Sequence, residues 1–142
     1  MFLGEFVHTI DDKGRLTIPA RFRADLEAGL VVTRGIDRCL AIYPIDEWKS
    51  LAEQVSALPV TERRARSFRR LVFASASDAV PDKQGRILIP PHLRDYAKLD
   101  GEAVITGLNT YIEVWNTGSW DEERERVEGY DVNIEEWAAL GI

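Results

Sequence analysis

The sequence predicts an α+β fold in which two copies of one unit share a single core. A repeat is the first reason: DDKGRLTIP at residues 11–19 returns as DKQGRILIP at residues 82–90, a shift of 71 positions. The match continues farther along at a shift of 72, which aligns Trp48 with Trp120. Size is the second reason, because half of a 142-residue chain would be a marginal folding unit. We therefore expect the copies to interlock around one mixed sheet.

The first copy is predicted to begin with a strand, a turn, a second strand and a helix, followed by a strand pair and another helix. Alternating or β-branched runs indicate the strands, and Pro19 suits the first turn of a helix because it lacks a backbone donor. Apolar positions at helical spacing after Pro44 indicate an amphipathic helix. The predicted strands are residues 5–10, 16–18, 30–33 and 40–43, and the predicted helices are residues 19–26 and 45–58.

The second copy repeats this order and adds a C-terminal segment. Thr117 or Ser119 is the expected cap of its last helix, and Asn133 is expected to open a final short helical turn, which is either an oligomer contact or a frayed end. The predicted elements are strands at 87–89, 103–106 and 111–115 and helices at 91–99 and around 120–127. The chain is thus divided into a first repeat (1–58), an arginine-rich linking helix (59–76), a second repeat (77–128) and a C-terminal extension (129–142).

The linking helix carries arginine on most of its surface. Thr61 is its expected cap, and Ala65, Phe68 and Val72 form a narrow apolar stripe. Its arginines either contact phosphates or pair with carboxylates of a neighbouring helix or subunit, and the acidic second half of the chain supplies such carboxylates.

Charge is distributed unevenly along the chain. The net charge is -6, yet residues 1–74 carry 12 Lys or Arg against 10 Asp or Glu, and residues 75–142 carry 6 against 14. A protein with basic loops and an acidic tail can still present a positive face, so the sum does not exclude DNA. No apolar run reaches membrane-spanning length, and Cys39 is the single cysteine, so we expect a cytoplasmic protein without a disulfide or a thiolate metal site.

The repeated motif places acidic, basic and glycine residues in a tight loop. An aspartate four residues before an arginine can fix its guanidinium by a charge-assisted bond while the remaining donors point outward. Such a loop is either a self-contained salt bridge or a ligand-binding element, and two symmetric basic loops on one side favour DNA, as in β-ribbon readers of the major groove. The candidate DNA contacts are Lys13, Arg15, Lys83 and Arg86, and the residues that orient the loops are Asp11, Asp82, Gly14 and Gly85.

The sequence contains no recognisable arrangement of catalytic residues. His8 and His92 occupy unmatched positions of the repeat, and no Ser-His-Asp order or metal-ligand cluster can be assembled. We therefore expect no enzyme, no cofactor, no metal and no small-molecule substrate. Two other classes stay open: a protein-interaction scaffold whose loops merely turn, and a small hydrolase that uses convergent carboxylates.

Four features together resemble one protein family. They are the start MFLGE, the two Asp-x-x-x-Arg loops, FASA at 73–76 and IEVW at 112–115, and the chain that carries them is similar to MraZ proteins over nearly its whole length. The resemblance implies a duplicated AbrB-like swapped-hairpin fold, with a pseudo-two-fold, β-barrel-like core and flanking helices.

The resemblance also implies a function. MraZ proteins are bacterial transcription regulators, so it implies a cytoplasmic, nucleoid-associated, ring-like homo-oligomer that represses by binding double-stranded DNA at repeated sites upstream of the division and cell-wall gene cluster. The arginines of the family motif correspond to Arg15 and Arg86, with Lys13 and Lys83 as phosphate contacts. The two loops differ at the second and third positions, so the copies need not contact DNA equally.

Overall fold

The computed structural model describes residues 1–141, with side chains for all of these except residues 130–133. Its strands are β1 (Phe2–Thr9), β2 (Arg15–Thr17), β3 (Leu30–Arg34), β4 (Leu40–Pro44), β5 (Ser77–Ala79), β6 (Arg86–Leu88), β7 (Glu102–Asn109) and β8 (Ile112–Asn116). Its helices are α1 (Arg23–Leu26), which continues a 3-10 turn at Ala20–Phe22, α2 (Ile45–Ser56), α3 (Arg63–Phe73), α4 (Pro91–Ala97), α5 (Thr117–Glu128) and α6 (Tyr130–Ala138).

Both copies contribute strands to each sheet, and at each edge of the larger sheet a strand of one copy pairs with a strand of the other. The larger sheet has the order β1-β7-β8-β4-β3-β5, and β2 pairs with β6 in a separate two-stranded ribbon. The order is unchanged when the copies are exchanged, since β1 corresponds to β5, β3 to β7 and β4 to β8. The first strand of each copy therefore pairs with a strand of the other copy, as β1 does with β7 and β5 with β3. Neither copy can complete its hydrogen bonding alone.

The predicted α+β class is confirmed, and two finer expectations are corrected. All named strand pairs are antiparallel, so the sheet is not mixed. A barrel-like closure is not formed by the strands of residues 1–141, because β1 and β5 lie at opposite edges of the larger sheet and the β2–β6 ribbon stays separate.

The core lies between the ribbon, with α1 and α4, and the inner face of the larger sheet. Both copies supply it, and the rings of Phe2 and Phe6 each pack edge-on against Phe22 with centroids 5.3 Å apart. Burial of such apolar side chains is the main stabilising contribution, so the fold depends on contacts made across the copies. Fully buried members include Leu16, Ile18, Leu26, Leu30, Leu40, Ile42, Ile89, Leu93, Ile105 and Ile112.

Three predicted helix starts are wrong. Helix α3 begins after Glu62 and has no side-chain cap, so Thr61 is not its N-cap. The cap of α5 is Asn116, whose side-chain oxygen accepts a hydrogen bond of 3.0 Å from the backbone N–H of Ser119. Asparagine is a strong N-cap because its short side chain reaches that donor. Helix α6 begins at Tyr130, which places Asn133 inside it.

Helices α2, α3 and α5 lie on the outer face of the larger sheet. The ring of Trp48 on α2 contacts Tyr43 on β4, and the equivalent Trp120 on α5 contacts Trp115 on β8, with centroids 6.0 and 5.6 Å apart. The ribbon is therefore on the opposite side of the molecule from these helices. Within the part of the chain that the structure describes, no helix is long and apolar enough to cross a membrane.

Candidate nucleic-acid interface

The first loop is a closed turn organised by one aspartate. Asp11 Oδ1 accepts hydrogen bonds from the backbone N–H groups of Lys13 and Arg15, at 3.0 and 2.8 Å, and its Oδ2 accepts one from Arg15 Nε at 2.7 Å. The backbone N–H of Gly14 donates to the carbonyl of Asp11 at 3.0 Å. The carboxylate thus fixes both the turn and the direction of the arginine.

The second loop repeats this arrangement bond for bond. Asp82 Oδ1 accepts from the N–H groups of Gln84 and Arg86, both at 2.9 Å, and Oδ2 accepts from Arg86 Nε at 3.0 Å. In each loop only the Nε of the arginine is used, and its two terminal nitrogens make no hydrogen bond to any residue of the described chain. Because a guanidinium has five N–H donors in a fixed plane, both arginines keep an oriented pair of donors for a ligand.

The register of the ribbon places both arginines on one face. Arg15 lies opposite Leu88, and Thr17 lies opposite Arg86, while the intervening pair of Leu16 and Ile87 is buried. Since side chains alternate along a strand, all four flanking residues point away from the core. The side chains of Arg15 and Arg86 are 36% and 28% exposed. We call this surface, made of Arg15, Thr17, Arg86 and Leu88, the ribbon face.

Each loop is held by the other copy. The N–H of Ile18 donates to the carbonyl of Gly85, and the N–H of Ile89 donates to the carbonyl of Gly14, both at 2.8 Å. Gly14 and Gly85 have φ of +85° and +74°, a backbone conformation that favours glycine. The positions of the two loops relative to one another are thereby fixed through the backbone.

A second pair of arginines, which is not among the site residues predicted from the sequence, reaches from each copy to the loop of the other. Arg23 donates through Nε to the carbonyl of Ile18 at 2.9 Å, and a Cβ on Gly85 would lie 2.2 Å from the same nitrogen. Arg94 donates to the carbonyl of Ile89 at 3.0 Å and lies in the same way against Gly14. Alignment of Arg23 with Arg94 at the repeat shift of 71 was the available signal. Each loop therefore combines an arginine from each copy.

The aspartates of the loops are held in their charged form. The backbone N–H of Arg15 is the largest cause of a lowered pKa for Asp11, and the Arg15 side chain adds to it. For Asp82 the backbone N–H of Arg86 comes first, followed by that of Gln84 and the Arg86 side chain. Hydrogen bonds to a carboxylate favour its ionised form, so both loops keep their geometry at neutral pH.

The lysines of the loops are positioned differently from the arginines. Lys13 follows Asp12 directly and Lys83 follows Asp82, and both lysine side chains are exposed. Neither makes a hydrogen bond or an ion pair through its side chain with the described residues. Both ammonium groups are available to an anion but are not oriented by the loop, as suits non-directional attraction to phosphate.

A comparison with known protein families finds a match for both copies of the repeated unit. The sequence model described as "MraZ protein, putative antitoxin-like" matches the chain twice, at residues 1–71 and at residues 72–130. The chain belongs to the MraZ family. The predicted resemblance is confirmed, with one match for each copy; the boundary between the matches falls inside α3.

Relatives in the MraZ family cover most or all of the chain. The "Transcriptional regulator MraZ" of Herpetosiphon aurantiacus is 55% identical over 120 residues, 84% of each chain. Those of Desulfitobacterium hafniense strain Y51 and Salinispora arenicola are 48% and 46% identical, and their matches cover 100% of both chains. The likeness to the MraZ family therefore extends through the C-terminal extension.

The arginine-rich linking helix of this MraZ chain uses part of its charge internally. Arg69 donates to the carbonyls of Ser56 and Leu58 at 2.8 and 2.6 Å, where α2 ends, and Arg66 donates to the carbonyl of Val60 at 2.9 Å. These bonds satisfy carbonyls near the end of α2, which has no basic residue in its last turn. Among the described residues this helix makes one ion pair, between Arg64 and Glu62 at 3.7 Å, and Glu62 is the residue directly before the helix and does not belong to a neighbouring helix or subunit.

His8 is partly buried, His92 is exposed and Cys39 is buried. His92 Nε2 lies 3.1 Å from the carbonyl of Ser75, and burial, together with the charge of Arg23, lowers the pKa of His8. Cys39 is buried, and burial, with the nearby Glu113 carboxylate, raises the pKa of its thiol. A thiol in that state is a poor nucleophile, because the thiolate is the reactive form.

Proposed function

We propose that the protein is a transcriptional regulator that binds double-stranded DNA in a sequence-specific manner through its ribbon face, and that it acts as a repressor. One observation carries the proposal: Arg15 and Arg86 share one outward face, and each is fixed through Nε by its own aspartate. The names of the relatives in the MraZ family support the assignment to transcription.

The roles of the side chains follow from their geometry. An oriented guanidinium suits the O6 and N7 acceptors of guanine, and a two-stranded ribbon fits the major groove. Leu88, which lies opposite Arg15 and is 58% exposed, supplies an apolar surface for a thymine methyl group. Lys13 and Lys83 contact phosphates, and Asp11, Asp82, Gly14 and Gly85 hold the loops. Arg23 and Arg94 brace the loops and add positive charge beside them.

The protein acts as a ring-like homo-oligomer associated with the nucleoid in the cytoplasm. Each chain offers only a few basic contacts, and linked subunits on repeated sites can raise avidity by roughly 10²- to 10⁴-fold. The resemblance to MraZ proteins supports DNA-binding sites that lie upstream of the division and cell-wall gene cluster. It also supports a scaffold of two AbrB-like swapped-hairpin repeats. Of the acidic residues at 75–142, Asp82 alone lies in a loop of the repeated motif, where its carboxylate holds Arg86.

The proposal is tested by removing both oriented arginines. Arg15→Ala with Arg86→Ala should weaken binding to the upstream region of the protein's own gene by at least about thirtyfold, since each bidentate contact contributes roughly 1–3 kcal/mol. Fluorescence anisotropy with labelled duplex measures the change. The matched control is Lys49→Ala with Arg124→Ala, which removes two exposed cations from helices on the opposite side and should leave affinity unchanged.

Salt dependence separates base contacts from phosphate contacts. Lys13→Ala with Lys83→Ala should weaken binding to specific and random duplexes alike. Each lost phosphate contact should lower the slope of log affinity against log salt concentration by about 0.9. The arginine variant should instead lose the preference for the specific duplex. Unchanged affinity in the arginine variant would overturn the proposal and favour a scaffold whose loops only turn the chain.

A further inference from the structure

Helix α6 carries an apolar stripe that its own chain leaves exposed. Ile134 and Trp137 are 48% and 49% exposed, and their spacing of three places them on one side of the helix. Leu140, which is 69% exposed, lies in the turn directly after the helix. We call these three residues the α6 stripe. Glu135 and Glu136 lie beside it, and the helix has no basic residue. Contiguous exposed apolar side chains rimmed by charge are typical of a surface that contacts another protein.

Helix α3 offers a groove with the opposite charge. It is lined by Arg63, Arg64, Ser67, Phe68 and Leu71, with a volume of about 600 Å³, and we call it the α3 groove. The helix contains five arginines and no acidic residue. Two of them, Arg66 and Arg69, are held by backbone carbonyls, whereas Arg63 and Arg64 are exposed at the rim. The groove is therefore apolar at its base and basic at its edge.

We infer that the α6 stripe of one copy of this chain docks in the α3 groove of a second copy. The apolar side chains match in character, and the acidic helix faces a basic rim, so the contact is complementary in both respects. The stripe and the groove are different surfaces of one chain. A contact between them is thus head-to-tail, and each added copy leaves one stripe and one groove for the next.

Such a contact closes into a ring or extends into a filament. A single short helix in a groove buries less than the roughly 1,200–2,000 Å² of a stable interface, so an isolated pair is weak and ring closure strengthens it. The inference deepens the homo-oligomer of the proposed function and depends on it. It does not depend on DNA binding.

Charge reversal with rescue tests the contact. Arg63→Glu with Arg64→Glu, and separately Glu135→Arg with Glu136→Arg, should each raise the protein concentration at half-assembly by at least about tenfold in sedimentation velocity, because like charges then face each other. Combining all four changes in one chain restores opposite charges and should restore assembly. Glu122→Arg with Glu125→Arg, an equal charge change on the exposed side of α5, should leave assembly as in the unaltered protein.

Cross-linking between differently marked chains identifies the occupant of the groove. One chain carries Ser67→Cys and the other carries Trp137→Cys, and copper phenanthroline oxidises two thiols to a disulfide where they meet. A disulfide joining the two kinds of chain supports the contact. If the disulfide forms only when both cysteines are on one chain, the groove holds its own α6 and the inference is wrong.

Two further outcomes would also overturn it. Assembly that survives both charge reversals shows that another surface joins the copies, and loss without restoration in the combined variant shows that the two surfaces do not meet. Failure of the proposed function is distinguishable, since Arg15→Ala with Arg86→Ala should leave sedimentation unchanged whether or not the ribbon face binds DNA.

Discussion

The ribbon side and the helical side of the molecule differ in how far the two copies have diverged. On the ribbon side the loops make the same set of hydrogen bonds, with arginine Nε to aspartate distances of 2.7 and 3.0 Å. On the helical side two threonines occupy equivalent places, since Thr33 lies opposite Ala41 and Thr106 lies opposite Glu113. Thr33 donates to the carbonyl of Val72 on α3, whereas the buried hydroxyl of Thr106 has no partner among the described residues.

This difference shows where symmetry constrains the sequence. The loops hold one another through reciprocal backbone bonds, so a change in one alters the support of the other. The outer face is less symmetric: α2 covers β3 and β4 as the acidic α5 covers β7 and β8, but α3 packs on β3 in addition. The duplicated chain therefore keeps a two-fold surface on one side and has separate surfaces on the other.

The largest effect is expected where the copies touch most closely. Gly85→Ala places a Cβ 2.2 Å from Arg23 Nε at a φ of +74°, so it strains the loop and displaces the arginine from the carbonyl of Ile18. We expect the free energy of unfolding to fall by roughly 3 kcal/mol in urea denaturation.

Gly101→Ala is the control for backbone strain alone. Its φ of +75° is almost the same, and a Cβ there would have nothing within 4 Å. The expected loss is about 1–2 kcal/mol, the cost of a left-handed conformation for an L-residue. Equal losses for the two variants would mean that the contact between Arg23 and Gly85 contributes nothing to stability.

A smaller effect should separate the two threonines. Thr33→Val leaves the Val72 carbonyl without its donor and removes the contact with the Ser75 hydroxyl, so we expect a loss of about 1–2 kcal/mol. Thr106→Val removes a buried hydroxyl that has no partner in the described chain, and its cost should be about 0.5 kcal/mol or less, or negative. Thermal and urea unfolding of both variants give the comparison, which fails if Thr106→Val is the more damaging change.

The parts of the fold that follow from local chemistry were predictable from the sequence. The turn at Gly14, the short strand after it and the helix after Pro90 depend on neighbouring residues, and each is found within a residue or two of its predicted place. The bond from Arg15 to Asp11 likewise depends on a spacing of four that the chain itself shows. Repetition of the motif was enough to expect a shared core.

Features that depend on pairing across the copies were not predictable in this way. The exchange of β1 and β5 is decided by hydrogen bonding between strands about 100 positions apart or nearly 50 apart, and no local pattern specifies it. Arg23 was visible as a repeated residue, but its position beside Gly85 depends on that exchange. The cap of α5 was missed because Asn116 ends a strand as well as opening a helix.

The smallest effect concerns acid. The pKa of Asp82 is lowered in the folded protein, and the backbone N–H of Arg86 is the largest cause. The pKa of Asp11 is lowered in the same way by the backbone N–H of Arg15. A carboxylate whose pKa is lower in the folded protein stabilises the fold. This stabilisation is fully present when the pH is above the pKa of the unfolded chain, about 3.9, and it is lost as the pH falls through the pKa of the folded protein. Asp82→Asn should therefore be less stable than the unaltered protein at pH 7, and the difference should shrink as the pH falls below about 4.

Asp11→Asn should behave as Asp82→Asn does, because the two loops share their bonds. Urea midpoints measured between pH 7 and pH 3 for the unaltered protein and both variants give the curves. A difference that stays constant or widens in acid would show that the carboxylate charge is not what stabilises the loop. A difference that shrinks for one variant alone would show that the loops, despite matching geometry, are supported unequally by Arg23 and Arg94.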